Sequence, residues 1–120
     1  MVCVLVVDDD AAMREMAARL LRLAGYSSIV AGSGTQALAF ARTRSDIDVA
    51  LIDITLPGMS GFDLARELRR LAPAVRVAFM SGFAIDDFKQ PIAAPVVTKP
   101  FTLEELTRAL QQALARSPSD

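Results

Sequence analysis

The sequence predicts an α/β protein in which a five-stranded, mostly parallel sheet is covered by helices on both faces. Three observations carry that expectation. Short apolar runs rich in β-branched residues alternate with longer stretches of helical period. The runs are apolar along their whole length, as strands buried on both faces are, whereas a strand with one wet face alternates polar and apolar positions. At 120 residues with 52% hydrophobic content, the chain has the size and composition of one domain that buries a full core without disulfide or metal staples.

In chain order, the first predicted strand is residues 2–7. The first helix follows, with Met13, Met16, Ala17, Leu20, Leu21 and Ala24 on one apolar stripe. Arg14, Glu15, Arg19 and Arg22 fall largely outside that stripe, and Gly25 supplies a stop just past its end. A second strand is expected at 28–31. Ser33-Gly34-Thr35-Gln36 then reads as a capping box that opens a helix running to about Arg42. The third strand is 49–52. The third helix follows Ser60, carries Phe62, Ala65, Leu68 and Leu71, and is ended by Pro73. The fourth strand is 75–80. Pro91 and Pro95 confine the fourth helix to about 84–90, a shortened element. The last strand is 96–98. Thr102-Leu103-Glu104-Glu105 is a second capping box, opening a helix with Leu103, Leu106, Leu110 and Leu114 facing inward. The domain is expected over residues 1–116, with 117–120 a frayed tail or linker stub. Five strands with intervening helices fit the doubly wound, flavodoxin-like arrangement with strand order 2-1-3-4-5.

Composition removes several function classes. The net charge of −1 argues against direct nucleic-acid binding, which needs a cationic face. There is no histidine, which excludes histidine acid–base catalysis, and with a single cysteine an ordinary structural zinc site is excluded as well. Cys3 lies in an apolar run and reads as a small core residue. No apolar run reaches about 18 residues and the opening residues lack a basic leader, so no membrane association and a cytoplasmic location are expected.

In doubly wound sheets, ligands bind beyond the carboxyl ends of the strands. Strand one ends in Asp8-Asp9-Asp10, strand three in Asp53, strand four in Ser81-Gly82 and strand five in Lys99-Pro100. Each has an ordinary reading alone. Asp10 caps a helix, Asp8 and Asp9 form a solvated loop, Asp53 is a strand-end carboxylate, Ser81 is a common strand ending and Lys99 is a solvated cation. Together they make an electrostatic device. Converging carboxylates at Asp8, Asp9 and Asp53 repel one another, and a hard divalent cation such as Mg²⁺ (or Mn²⁺) relieves the repulsion. The ion and Lys99 neutralise a phosphoryl group, Ser81 donates a hydrogen bond to it, and Asp53 is the nucleophile that forms an acyl phosphate.

At this point the chain closely resembles the receiver domain of response regulators in bacterial two-component systems. The residues that carry the resemblance are Val6-Val7-Asp8-Asp9, Leu51-Ile52-Asp53, Leu56-Pro57-Gly58-Met59-Ser60-Gly61, Ser81-Gly82 and Lys99-Pro100-Phe101. It implies Asp53 as phosphoacceptor. It implies a metal held directly by Asp9, Asp53 and the backbone carbonyl of Thr55, with Asp8 acting mainly through metal-bound water. Ser81 and Lys99 contact the phosphoryl group, and the Lys99–Pro100 peptide is cis. The implied donor is a sensor histidine kinase or a histidine phosphotransfer protein, and phosphorylation changes conformation to engage a protein partner or a second copy. Such a domain is not a conventional enzyme, although it catalyses its own phosphotransfer and dephosphorylation.

The departures are Ser60, where the family often has Asp, and Val96, where many members carry a switching aromatic or His. With Val96 offering no ring, the signal is expected as ordering of residues 82–95, with Phe83 and Phe88 docking. Alternatives are the receiver segment of a hybrid histidine kinase and a pseudo-receiver that works without phosphorylation. A haloacid-dehalogenase-type phosphatase needs an acid where Thr55 stands. A flavodoxin needs a phosphate loop where three aspartates stand.

Overall fold

The computed structural model describes residues 1–82 and 92–116. The helix expected at 84–90, with Phe83, Phe88 and Pro91, lies outside the described residues, as does the tail at 117–120. The elements are β1 (Cys3–Val7), α1 (Ala11–Leu23), β2 (Ser27–Ala31), α2 (Gly34–Thr43), β3 (Val49–Asp53), α3 (Gly61–Leu71), β4 (Arg76–Ser81), β5 (Val96–Thr98) and α4 (Leu103–Ala115). The five strands pair in parallel in the order β2-β1-β3-β4-β5, as expected.

Three strands differ from the expected bounds by one residue at one end and β4 by one residue at both, because a strand's extent is set by its ladder partner. Asp53 pairs with Met80 and Ser81 with Thr98, so both polar residues lie inside strands and not just past them. A polar side chain on the last rung is held by the sheet and not by a loop.

Successive side chains of a strand point to opposite faces. Val4 and Val6 of β1, Val49 and Leu51 of β3, and Ala78 and Met80 of β4 pack with Ala17 and Leu21 of α1 and with Leu106 and Leu110 of α4. The alternate set, Leu5, Val7, Ala50, Ile52, Val77 and Phe79, packs with Leu38 of α2 and with Leu64, Ala65 and Leu68 of α3. Each fully buried large side chain contributes roughly 1.5–3 kcal/mol, so these two layers hold the sheet and keep its carboxyl edge in register.

The helix starts follow from side-chain caps. Asp10 accepts from Ala12 N–H, Ser33 from Gln36 N–H, Ser60 from Asp63 N–H and Thr102 from Glu105 N–H. Only the last is a complete capping box, closed by Glu105 Oε1 on Thr102 N–H at 2.9 Å. At α2 the Gln36 carboxamide reaches one residue further back and accepts from Gly32 N–H at 2.7 Å, so the expected box there is half formed. The apolar faces are also rotated slightly from expectation. Leu64 is buried in α3, while Phe62 is half-buried and meets Phe79 edge-on at 5.1 Å. In α4 the buried positions are Leu106, Ala109, Leu110 and Ala113, with Leu103 and Leu114 half-buried at its ends. α1 closes at Ala24, and Gly25 follows with φ of 89°, the left-handed region that favours glycine after a helix.

Candidate functional site

Strands β1, β3, β4 and β5 deliver Asp8, Asp53, Ser81 and Lys99 to one edge of the sheet. Asp8 is wholly buried, Asp53 is 6% exposed and Ser81 1%. Two buried carboxylates side by side are costly unless charge and hydrogen bonds compensate them. Lys99 compensates both: its Nζ donates to Asp8 Oδ2 at 2.7 Å and to Asp53 Oδ2 at 2.8 Å. The remaining oxygens are used in parallel ways. Asp8 Oδ1 accepts from Asp10 N–H and Asp53 Oδ1 from Thr55 N–H, each at 2.9 Å and each two residues downstream. These local turns fix the carboxylate planes. Lys99 is itself anchored, since its backbone N–H donates to Ser81 O at 2.7 Å, and the Lys99–Pro100 peptide is cis as expected. Among the described residues no buried side-chain nitrogen or oxygen lacks a partner.

Asp9 is exposed and completes the acidic edge; one carboxylate oxygen from each of Asp8, Asp9 and Asp53 lies within 4.8 Å of the others. All are hard oxygen donors. Opposite ligands of an octahedral Mg²⁺ stand about 4.2 Å apart, so the cluster has the size and chemistry for such an ion. Asp10 is exposed and bonded to Ala12 N–H, which makes it the helix cap and not part of the cluster. Thr55 meets Asp53 through its backbone N–H.

Burial pushes the Asp53 carboxyl up from its ordinary range, and nearby Asp8 adds to this. The Lys99 ammonium and Thr55 N–H pull it down without cancelling the rise. For Lys99, burial favours the neutral amine, but the hydrogen bonds and charges of Asp53 and Asp8 outweigh it and raise the ammonium's pKa. An acid whose pKa is raised on folding lowers stability once it ionises. Asp53→Asn is therefore expected to raise the melting temperature of the metal-free protein at neutral pH. The gain should shrink as the pH falls through the raised Asp53 value toward its unfolded value, where the wild-type acid is itself neutral. A melting series against pH in chelator checks this; an Asn variant less stable than wild type at neutral pH contradicts it.

Two residues at this edge carried no functional expectation. Arg14 was placed among the outward charges of the first helix, yet it is half-buried and its Nη1 donates to the backbone oxygen of Asp8 at 2.7 Å. Gly61, at the start of α3, lies against β3: a Cβ built there would meet Asp53 O at 2.3 Å and Ile54 Cα at 2.7 Å. Neither contact has a local sequence signal.

The profile of the family described as Response regulator receiver domain matches residues 4–111. A probable transcriptional regulatory protein of Mycobacterium tuberculosis, TcrX, is 38% identical over 97% of this chain and 51% of its own length. The sensor kinase CckA of Brucella abortus is 33% identical over 94% of this chain and 12% of its own. The chain thus spans about half, or much less, of the length of these relatives. Among solved structures, the response regulator protein TrrA of Thermotoga maritima, in complex with Mg²⁺ and BeF, superposes with a TM-score of 0.83 at 27% identity, covering 95% of this chain and all of that one (100%). The receiver domain of hybrid histidine kinase CckA superposes with a TM-score of 0.78 at 31% identity, covering 93% and 98%.

Proposed function

Because the chain belongs to the response regulator receiver family of two-component systems, we propose that it takes a phosphoryl group from a phosphohistidine donor onto Asp53 with a divalent cation and changes conformation to signal. The observation that carries this is the buried pairing of Lys99 with both Asp8 and Asp53, with Asp9 beside them. Receiver domains are signalling domains and not conventional enzymes; transfer to Asp53 and its later hydrolysis are the chain's own catalysis in this reading.

Asp9, Asp53 and the Thr55 carbonyl would hold Mg²⁺ or Mn²⁺, with Asp8 acting mainly through metal-bound water. When bound, the ion would supply positive charge to the phosphoryl oxygens. The chain's residues do the rest. The Asp53 carboxylate forms the new O–P bond as the P–N bond of the donor imidazole breaks, and the imidazole leaves with the electron pair. Phosphorylation turns one of the two carboxylates that hold Lys99 into an acyl phosphate whose negative charge lies on the phosphoryl oxygens, so the Lys99 Nζ moves from Asp53 Oδ2 to one of them. Ser81, at the next rung of the sheet, donates its hydroxyl to another. Because Lys99 N–H and Ser81 O are bonded, displacement of either is passed to β4 and β5 together.

The functional unit is residues 1–116. Its donor is a sensor histidine kinase or a histidine phosphotransfer protein, and its output is a phosphorylation-dependent protein contact or dimer. The domain itself does not bind nucleic acid, consistent with its net charge of −1, and works in the cytoplasm without membrane attachment. No described helix is long and apolar enough to cross a membrane. The likeness to CckA favours a second reading of context, in which the chain is the receiver segment of a hybrid kinase. A phosphorylation-independent pseudo-receiver is disfavoured because acceptor, acidic pair and lysine are all present.

The test is labelling by a small acyl-phosphate donor with Mg²⁺, paired with calorimetric Mg²⁺ titration. One acid-stable, base-labile phosphoryl group is expected, lost on chelation. Asp9→Ala should weaken Mg²⁺ binding by at least about 10-fold, the lower end of what losing an ordinary ligand partner costs, whereas Asp10→Ala should leave it within about twofold. Labelling indifferent to chelation, or equal effects of the two changes, contradicts the reading.

A further inference from the structure

Arg14 sits one turn into α1, with its guanidinium turned back toward the carboxyl end of the sheet. Its Nη1 donates to the backbone oxygen of Asp8 at 2.7 Å, a charge-assisted and partly buried bond. That carbonyl belongs to the peptide unit joining Asp8 to Asp9. The plane of this unit decides the direction in which Asp9 leaves the strand. Asp8 points inward and is fixed three times over: by Lys99 on Oδ2, by Asp10 N–H on Oδ1, and by its own N–H, which donates to Ala31 O at 3.2 Å. Asp9 is exposed, and its side chain has none of these supports. The Arg14 contact on the preceding carbonyl is the described bond that restrains it.

The opposite side of the guanidinium is also defined. A Cβ at Gly32 would lie 3.1 Å from Arg14 Nη1 and 3.5 Å from Cζ, so the loop after β2 closes over the group with only a hydrogen in between. Gly32 is in turn held by Gln36 Oε1 on its N–H at 2.7 Å. Arg14 thus lies between the loops that follow β1 and β2.

We propose that Arg14 is a positioning residue for the divalent-cation site: by locking the Asp8–Asp9 peptide unit, it aims the Asp9 carboxylate at the ion. The inference rests on the functional reading above, in which Asp9 is a direct ligand. It has a sign that separates it from simple electrostatics. A cation beside the site repels Mg²⁺, so if Arg14 acted only by its charge, removing it would tighten Mg²⁺ binding. If it positions Asp9, removing it weakens binding, because second contacts that orient ligands typically carry about 10–100-fold in metal affinity.

The experiment is Mg²⁺ titration by calorimetry on the whole chain for wild type, Arg14→Ala, Arg14→Lys, Arg19→Ala and Asp9→Ala, with melting curves in chelator for each. Arg19 is an exposed cation of the same helix, paired with Glu15 at 3.6 Å, and its removal serves as the charge control. Arg14→Ala should weaken Mg²⁺ binding about 10-fold. Arg14→Lys, which keeps one donor and the charge, should recover part of the loss, and Arg19→Ala should change nothing. Phosphoryl labelling of Arg14→Ala should approach the wild-type rate once Mg²⁺ is raised in proportion, which a general loosening of the fold would not allow. Unchanged or tighter binding in Arg14→Ala, with Asp9→Ala still weak, overturns this inference alone. If Asp9→Ala also binds normally, the metal reading beneath it is what fails. Should Arg14→Ala not fold, Arg14→Met, which keeps the aliphatic stem without a donor, decides: wild-type affinity overturns the proposal, and a weakened affinity supports it.

Discussion

Asp53→Asn is expected to reduce phosphoryl labelling by a factor on the order of 10² or more while leaving the fold intact. The carboxamide keeps the shape of the acid and an oxygen for Thr55 N–H, so the last rung of β3 has no reason to open. What it loses is the anion. An amide oxygen does not form a stable acyl phosphate, and the other buried carboxylate among the described residues, Asp8, is wholly buried and so out of a donor's reach, with Lys99 free to bind it more closely once Asp53 is neutral. Labelling is measured with a small phosphodonor in excess Mg²⁺, and the fold by its melting curve. A variant labelled at the wild-type rate moves the acceptor elsewhere.

Gly61→Ala should be the most damaging small substitution in the described residues. The new Cβ would meet the backbone of Asp53 and Ile54, at 2.3 Å from the Asp53 carbonyl oxygen and 3.0 Å from its carbon. These are not flexible side-chain ends. They belong to the strand that carries the acceptor, and Gly61 N–H is bonded to Ile54 O at 2.8 Å, so α3 cannot back away without breaking that bond. Either α3 shifts off the sheet, losing packing of Leu64 and Leu68, or β3 bends at its functional end. The expected loss is at least about 3 kcal/mol, the upper part of the range for overpacking, which for a domain of this size lowers the melting temperature by roughly 10 °C or more. Loss of labelling should accompany it even below the melting transition. A variant within about 1 kcal/mol of wild type in denaturant titration would show that the β3–α3 junction is looser than the contact distances require.

Much of this was legible in the sequence because it depends on local pattern. Runs apolar along their whole length point to the parallel sheet, the capping residues to the helix starts, and the rule that ligands sit beyond strand ends singles out Asp8, Asp9, Asp53, Ser81 and Lys99. Which strand residue faces which helix layer was not legible. When Val4 and Leu5 are both apolar, the pattern carries no parity, and only the assembled sheet separates them. Lys99 was expected to meet a phosphoryl oxygen, but its present partners are two carboxylates 91 and 46 positions away. Their convergence is a property of sheet register, not of spacing. Arg14 looked like a surface cation because helical period reports only the direction of a Cα–Cβ bond, whereas a long side chain is able to turn back along its helix. Gly61 stood in a motif with no stated reason; its reason is the backbone of β3, and that contact exists only after folding.

The account stands on Asp53 as the acceptor, and that is tested most directly by trapping the labelled wild-type protein with borohydride, which reduces an acyl phosphate to an alcohol and marks the acceptor permanently. Peptide mass mapping then reads the position. The account predicts a single reduced residue, Asp53, formed only when Mg²⁺ and the phosphodonor are both present. Reduction at Asp8 or Asp9, or a stable phosphoryl group found on Ser81 with Asp53 unmodified, would contradict it.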